Sequence, residues 1–228
     1  MGWTHRIVGL ALMIAVVGAG CGHDSAKPTS APGASGSSDH AAPTISSAPP
    51  TTLSPEEARL HGLLLTPAEL GVTFTDAQLD APRDTTQPCG QRDPRAVIKP
   101  QARVVVLLAD YLEGLGVAEN LSEFSTIDEA QRVIALVRDG VSCDHGSITN
   151  ANSAAPITLS AIQDVSAQVG GSDTFAVIVT LADSSQITTI VARVDRFVVQ
   201  FQIGSKSQSG ALDPLQTAKH GVDKITAG

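Results

Sequence analysis

Three consecutive stretches in the C-terminal third of the chain alternate apolar residues with a period of two. This pattern limits the fold more than any other feature. Phe197, Val199, Phe201 and Ile203 alternate with Val198, Gln200 and Gln202. Phe175, Val177, Val179 and Leu181 form a second row, and Ser185 to Val194 a third, with Ile187 and Val191 on one face. Such alternation marks strands that turn one face to a core. The links between the runs are short and polar, Asp183-Ser184 and Asp195-Arg196. A parallel pair needs a long crossover, so these neighbours are antiparallel. Ile157 to Val165 reads as a fourth strand, ending before Gly170-Gly171. Upstream, Arg103 to Leu108 and Val117 to Phe124 read as two more.

Between the strands the period changes to that of a helix. Ser54-Pro55-Glu56-Glu57, Thr66-Pro67-Ala68-Glu69 and Thr126-Ile127-Asp128-Glu129 each join a capping hydroxyl to a glutamate three residues on. The pairing satisfies backbone N–H groups that a first helical turn leaves without partners. Gly71 and Gly140 mark two of the ends. Over 127–139, Ile127, Ala130, Ile134 and Val137 fall on one face. A last helix from Asp213-Pro214 aligns Leu215, Ala218, Val222 and Ile225. The fold class expected is α+β, an antiparallel sheet of about six strands backed by helices.

The N-terminal part reads differently. Ile7 to Val17 is apolar apart from Gly9, follows Arg6 and precedes Gly18-Ala19-Gly20-Cys21. Eleven residues at about 1.5 Å each are too few for a bilayer core of about 30 Å, so 1–20 reads as a secretory signal peptide. Val17-Gly18-Ala19-Gly20-Cys21 resembles the lipobox of bacterial lipoproteins, although Gly18 stands where that family usually has Leu or Val. The resemblance implies cleavage before Cys21, acylation of its thiol, and a membrane partner reached through the lipid. The alternative is an ordinary signal peptide with a chance cysteine. Of the 33 residues 22–54, 26 are Gly, Ala, Ser, Thr or Pro. They hold too little apolar surface to offset the entropy of ordering. This stretch reads as a tether averaging about 30 Å end to end. The folded domain is expected over 55–228, outside the cytoplasmic membrane in the cell envelope.

The net charge of −8 speaks against a nucleic-acid partner, which needs a basic patch. Removing 1–20, which contains Arg6 and no acidic residue, takes it to −9. Setting Cys21 aside leaves two cysteines, Cys89 and Cys143, in an oxidising compartment. Neither lies in a C-x-x-C motif, so a structural disulfide is expected rather than a metal or redox site. It closes a loop of 54 positions, which a chain-entropy argument values at about 4 kcal/mol. It is expected to pin the loop 82–100 to the C-terminal end of helix 127–139.

No catalytic motif is present: there is no G-x-S-x-G, H-E-x-x-H, S-x-x-K or P-loop. Gly114-Leu115-Gly116 starts like a dinucleotide fingerprint, but Glu119 occupies the third glycine position, and the segment reads as a turn. No cofactor and no metal are expected. Asp144-His145 beside Cys143 reads as a solvated loop, because a disulfide-bonded cysteine is no nucleophile. Asp110 and Tyr111 follow a strand, where polar loops often line clefts. Tyr111, Asp110 and His145 are therefore the ligand-binding candidates, against the plainer reading of Tyr111 as a strand-end aromatic on the core. Phe175, Phe197 and Phe201 read as a core face, with a lipid pocket as the rival.

Leu63-Leu64-Leu65-Thr66-Pro67-Ala68-Glu69-Leu70-Gly71, then Cys89, then Phe124 before an amphipathic helix ending near Cys143, resembles the PknH-type extracellular sensor domain of mycobacterial receptor Ser/Thr protein kinases. The likeness covers about 58–226. It implies a curved antiparallel sheet, disulfide bonding and a cleft for an unidentified ligand. That sensor domain has two disulfides, where this chain can form one. The expectation is a non-catalytic sensor-like or ligand-binding lipoprotein, recognising a small molecule, glycan, lipid or envelope protein. The alternatives are a carrier of hydrophobic ligands between membrane and cell wall, and an atypical hydrolase.

Overall fold

The protein is described by a computed structural model over residues 53–71, 73–77, 87–150, 153–205 and 212–228. The expected signal peptide, Cys21 and the expected tether up to Thr52 lie outside the described residues, as do positions 82–86 of the expected pinned loop.

Capping chemistry sets the helix starts. In α1 (Pro55–His61) the Glu57 amide donates to Ser54 Oγ, while the Ser54 amide donates to the Glu57 carboxylate at 2.8 Å. In α2 (Pro67–Leu70) the Glu69 carboxylate accepts from both the amide and the hydroxyl of Thr66. In α3 (Ile127–Asp139) Thr126 accepts from the Glu129 amide, but Glu129 reaches back to the Ser125 amide, one residue further than expected. The short α4 (Ser166–Val169) ends at Gly170, and α5 (Pro214–Ala227) is capped by Asp213, which accepts from the Leu215 and Gln216 amides.

All pairings in the sheet are antiparallel. Its strands are β1 (Thr75–Ala77), β2 (Ala102–Asp110), β3 (Leu115–Glu123), β4 (His145–Asn150), β5 (Ser153–Leu159), β6 (Gln163–Asp164), β7 (Ser172–Thr180), β8 (Gln186–Val194) and β9 (Phe197–Ser205). The order is β1-β2-β3-β9-β8-β7-β5-β4, with β6 also on β7. The sheet is open, and the fold is α+β. The tight turns lie where expected, with Ser184 (φ 66°) and Asp195 (φ 50°) in the left-handed region that short polar side chains tolerate.

Nine strands replace the expected six. The run Ile157–Val165 is two strands, because Ser160 interrupts it: its hydroxyl accepts from the Ile178 amide, taking a bond that the ladder would use. The pairing to β7 resumes at β6. Asp144-His145 is not simply a loop, since His145 opens the edge strand β4 and pairs with Thr158. The polar sequence of β4 carries no alternation to announce it. β1 is only three residues long.

Two apolar layers lie on opposite faces of the sheet. On one, Leu60 of α1, Leu64, Leu65, Val169 of α4, and Ala218, Val222 and Ile225 of α5 cover Val104, Val117, Leu121, Ile190, Val199 and Phe201. On the other, Ala130, Val133, Ile134 and Val137 of α3 cover Phe175, Val177, Val191 and Val198. Ile127, expected on the buried stripe, is half exposed at the first helical position. Phe175 and Phe201 thus occupy separate cores, and the three-phenylalanine row does not line one lipid pocket.

Candidate functional site

Register builds a polar strip on the α3 face of the sheet. Val105 of β2 lies opposite Asn120 of β3, which lies opposite Gln200 of β9, which lies opposite Val191 of β8. One pleat along, the row is Leu107, Ala118, Gln202 and Thr189. Because side chains alternate across a strand, these rows project to the same side. The apolar cluster under α3 includes no residue of β2 or β3. Asn120, Gln200 and Gln202 are half-buried there.

Two guanidinium groups meet this strip. Arg95 sits in a 3₁₀ turn (Pro94–Ala96), and its Nη2 donates to Gln200 Oε1 at 3.0 Å. Arg103 of β2 donates through Nε to Asn120 Oδ1 at 3.2 Å. Asp93 caps the turn, accepting from the Arg95 amide and from Arg95 Nε, both at 2.9 Å. The pair is buried, with Asp93 1% and Arg95 7% exposed. Asp93 Oδ2 makes no hydrogen bond and lies 4.0 Å from an Arg103 nitrogen. A buried carboxylate oxygen with no hydrogen-bond donor is costly, and the charge of the nearby Arg103 guanidinium offsets part of that cost.

The disulfide positions this turn. Cys89 and Cys143 are joined, as expected. The Cys89 amide donates to the Gly140 carbonyl, and the Ser147 amide to the Pro88 carbonyl. The segment carrying Asp93 and Arg95 is therefore clamped to the end of α3 and to β4. The spacing of two cysteines announced the clamp, but not the polar strip that it faces. Gln200 and Gln202 were visible only as the polar half of an alternation, and Asn120 only as one residue of the strand read from Val117 to Phe124.

The three ligand candidates are not brought together. Asp110 is buried at the end of β2, where its carboxylate accepts from the Leu112 and Glu113 amides. The hydrogen bond from Thr73, then the Glu113 amide, hold its pKa below the usual carboxylate value. It organises the β2–β3 turn. Tyr111, the chain's single tyrosine, is 61% exposed in that turn, so it does not pack on the core. His145 is exposed on β4, at the far edge of the strand order from β1 and β2.

Sequence reading missed Glu119. It points to the α5 face, is fully buried, and accepts from the Leu65 amide at 2.7 Å. Burial pushes its pKa up from 4.5 to about 7, against the Leu65 amide and the Lys224 charge. Nearby Glu69 goes the other way. Partial burial opposes its ionisation, but hydrogen bonds from Lys224 and Thr66 bring it down to about 2. Among the described residues no three His, Cys, Asp or Glu side chains converge as a metal site. No helix there is long and apolar enough to cross a membrane.

No protein-family model matches the chain, and no curated protein matches it in sequence. Solved structures do. One is the Rv0999 ortholog from Mycobacterium smegmatis, at 11% identity, covering 75% of this chain and 92% of that one with a TM-score of 0.31. Another is the extracellular domain of PknH from Mycobacterium tuberculosis, at 17% identity, covering 75% of this chain and 97% of that one with a TM-score of 0.60. The described domain therefore shares its fold with the extracellular domain of PknH.

Proposed function

We propose that this chain is a cell-envelope lipoprotein, anchored through Cys21, whose folded domain is a non-catalytic, sensor-like module that binds a polar ligand on the outer side of the membrane. The observation that carries the reading is the amide strip Asn120–Gln200–Gln202 beside Arg95 and Arg103, on a sheet face that a disulfide-clamped turn partly covers. Amides offer both donors and acceptors, and guanidinium groups add charge. This chemistry suits a hydroxyl-rich ligand, such as a glycan, that carries a carboxylate. The shared fold with an extracellular domain supports the location. Nothing in the strip supplies an activated nucleophile: it holds amides and guanidinium groups, and the two cysteines near it are bonded to each other.

Chemical-shift mapping with soluble acidic cell-wall glycan fragments tests the ligand reading. Perturbations are expected at Asn120, Gln200 and Gln202, and Gln200→Leu should weaken binding at least about tenfold, the worth of one hydrogen-bond network to a charged group. Perturbations confined to other residues would reject the strip. A stoichiometric lipid carried through purification would favour the carrier instead. For the anchor, Cys21→Ala should release the chain from the membrane fraction.

A further inference from the structure

Glu119 stands near the middle of β3, on the face opposite the polar strip. Its carboxyl group has no solvent exposure. One oxygen accepts from the Leu65 amide, and the other, Oε1, has no hydrogen-bond partner. The helix α5 comes down on it because position 221 is glycine. A β-carbon there would lie 2.6 Å from two ring carbons of Phe201 and 3.3 Å from Glu119 Oε1.

Leu65 belongs to the stretch between α1 and α2. That stretch is tied down on both sides. Lys224 of α5 donates to the Leu64 carbonyl at 2.5 Å and to the Glu69 carboxylate at 3.0 Å, and Glu119 holds the amide between them. Each of these bonds spans a long stretch of chain, so together they fasten the N-terminal end of the domain onto the sheet and α5.

We propose that Glu119 is a proton-controlled latch: when protonated it holds the stretch 63–70 closed on the sheet, and when ionised it loosens that stretch from α5. A neutral carboxyl is tolerated in apolar surroundings, whereas an ionised one with a single N–H partner is not. Opening the stretch admits water and returns the group to its ordinary behaviour. The proton it then gives up goes to solvent. The closed pKa is about 7 and the open reference 4.5. The latch is therefore fully closed below 4.5, weakens as pH rises from 4.5 to about 7, and changes no further above that.

The other charged groups acting on it are Lys224 of α5 and Glu69 of α2, and His220 of α5 lies 3.4 Å from Glu69. On the flanking strands its register partners are Val106 and Phe201. Further along the same face, Glu123 is held between Arg59 and Arg196. The inference is independent of the polar strip.

Hydrogen exchange followed by mass spectrometry on the full chain reads the latch directly. After correction for intrinsic exchange, protection of the amides of residues 63–66 should fall at least about tenfold between pH 5 and pH 8, since a pKa difference of one unit is a factor of ten. Glu119→Gln, which keeps the acceptor and cannot ionise, should abolish that dependence, while His220→Gln should retain it. Persistence of the dependence in Glu119→Gln, or its loss in His220→Gln, would overturn the proposal. If Glu119→Gln does not fold, the Glu119 carboxyl carbon in the unaltered chain decides by NMR. A midpoint near 7 supports the latch, and one below 5 refutes it.

Discussion

On one face of the sheet, α1, α4 and α5 lie over β2, β3, β8 and β9 and bury an apolar layer in which Glu119, among the described residues, is the one ionisable side chain without solvent exposure. On the other, α3 closes only the β5, β7 and β8 end together with Val198, and the rows continue across β9 and β3 as Gln200, Gln202 and Asn120. The same strands serve both faces, so the difference comes from where the helices rest. Helices α1, α4 and α5 cover one side, with Leu70 of α2 packed at their margin. One helix and a disulfide-clamped turn cover the other, and beside the apolar cluster under that helix the rows carry the amides Asn120, Gln200 and Gln202 among Val105, Leu107 and Ala118.

The sharpest way to break this comparison is to empty each core in turn. Phe175→Ala and Phe201→Ala remove fully buried rings from opposite faces, and each should cost about 3–5 kcal/mol in urea unfolding. If the faces are separate layers, the double variant should match the sum within about 0.5 kcal/mol. Coupling well beyond that would mean that the faces are one unit. Next in size is the clamp. Replacing both Cys89 and Cys143 by serine should cost about 2–4 kcal/mol. Hydrogen exchange should then rise more in 87–98 than in α5, and a uniform rise would remove the disulfide's special role on the polar face.

Gly221→Ala strikes the α5 face alone. The added methyl meets the Phe201 ring, and the expected cost is about 1–3 kcal/mol with no change in exchange of 87–98. A smaller effect separates the two glutamates. Glu69 has a pKa lowered to about 2, so its contribution is present above 4.5 and is lost as pH falls from 4.5 to 2. Glu69→Gln should flatten that acid limb, by about 1 kcal/mol given its partial solvation. Glu119 acts with the opposite sign between 4.5 and about 7, where its ionisation lowers stability as pH rises. The smallest effect belongs to the solvent side of α5. Breaking the exposed Lys219–Asp223 pair with Lys219→Ala should stay within about 0.5 kcal/mol.

Much of the framework was legible because it is written in local periods and caps. α3 spans the expected 127–139, the hairpins β7–β8–β9 follow their alternating rows, and both cysteines meet. The omissions have local causes too. β4 is a polar edge strand, β1 is three residues long, and Ser160 breaks one run into two. The candidate site was less legible. Asp110 and Tyr111 were read from their place after a strand, but one ties a turn together and the other stands in solvent. The polar strip needs the β3–β9 pairing, between segments far apart in the chain.

By itself the sequence determined the antiparallel α+β class, the helix starts, the disulfide partners and an acidic domain. Each rests on neighbours a few residues apart or on counting. Only the tertiary structure decided that β3 lies beside β9, which lines up Asn120 with Gln200, and that Phe175 and Phe201 face opposite ways. It also decided that α5 closes over Glu119. A glutamate in an alternating strand is assigned to the core or to water by what packs on that face, and that helix lies about a hundred residues further along the chain.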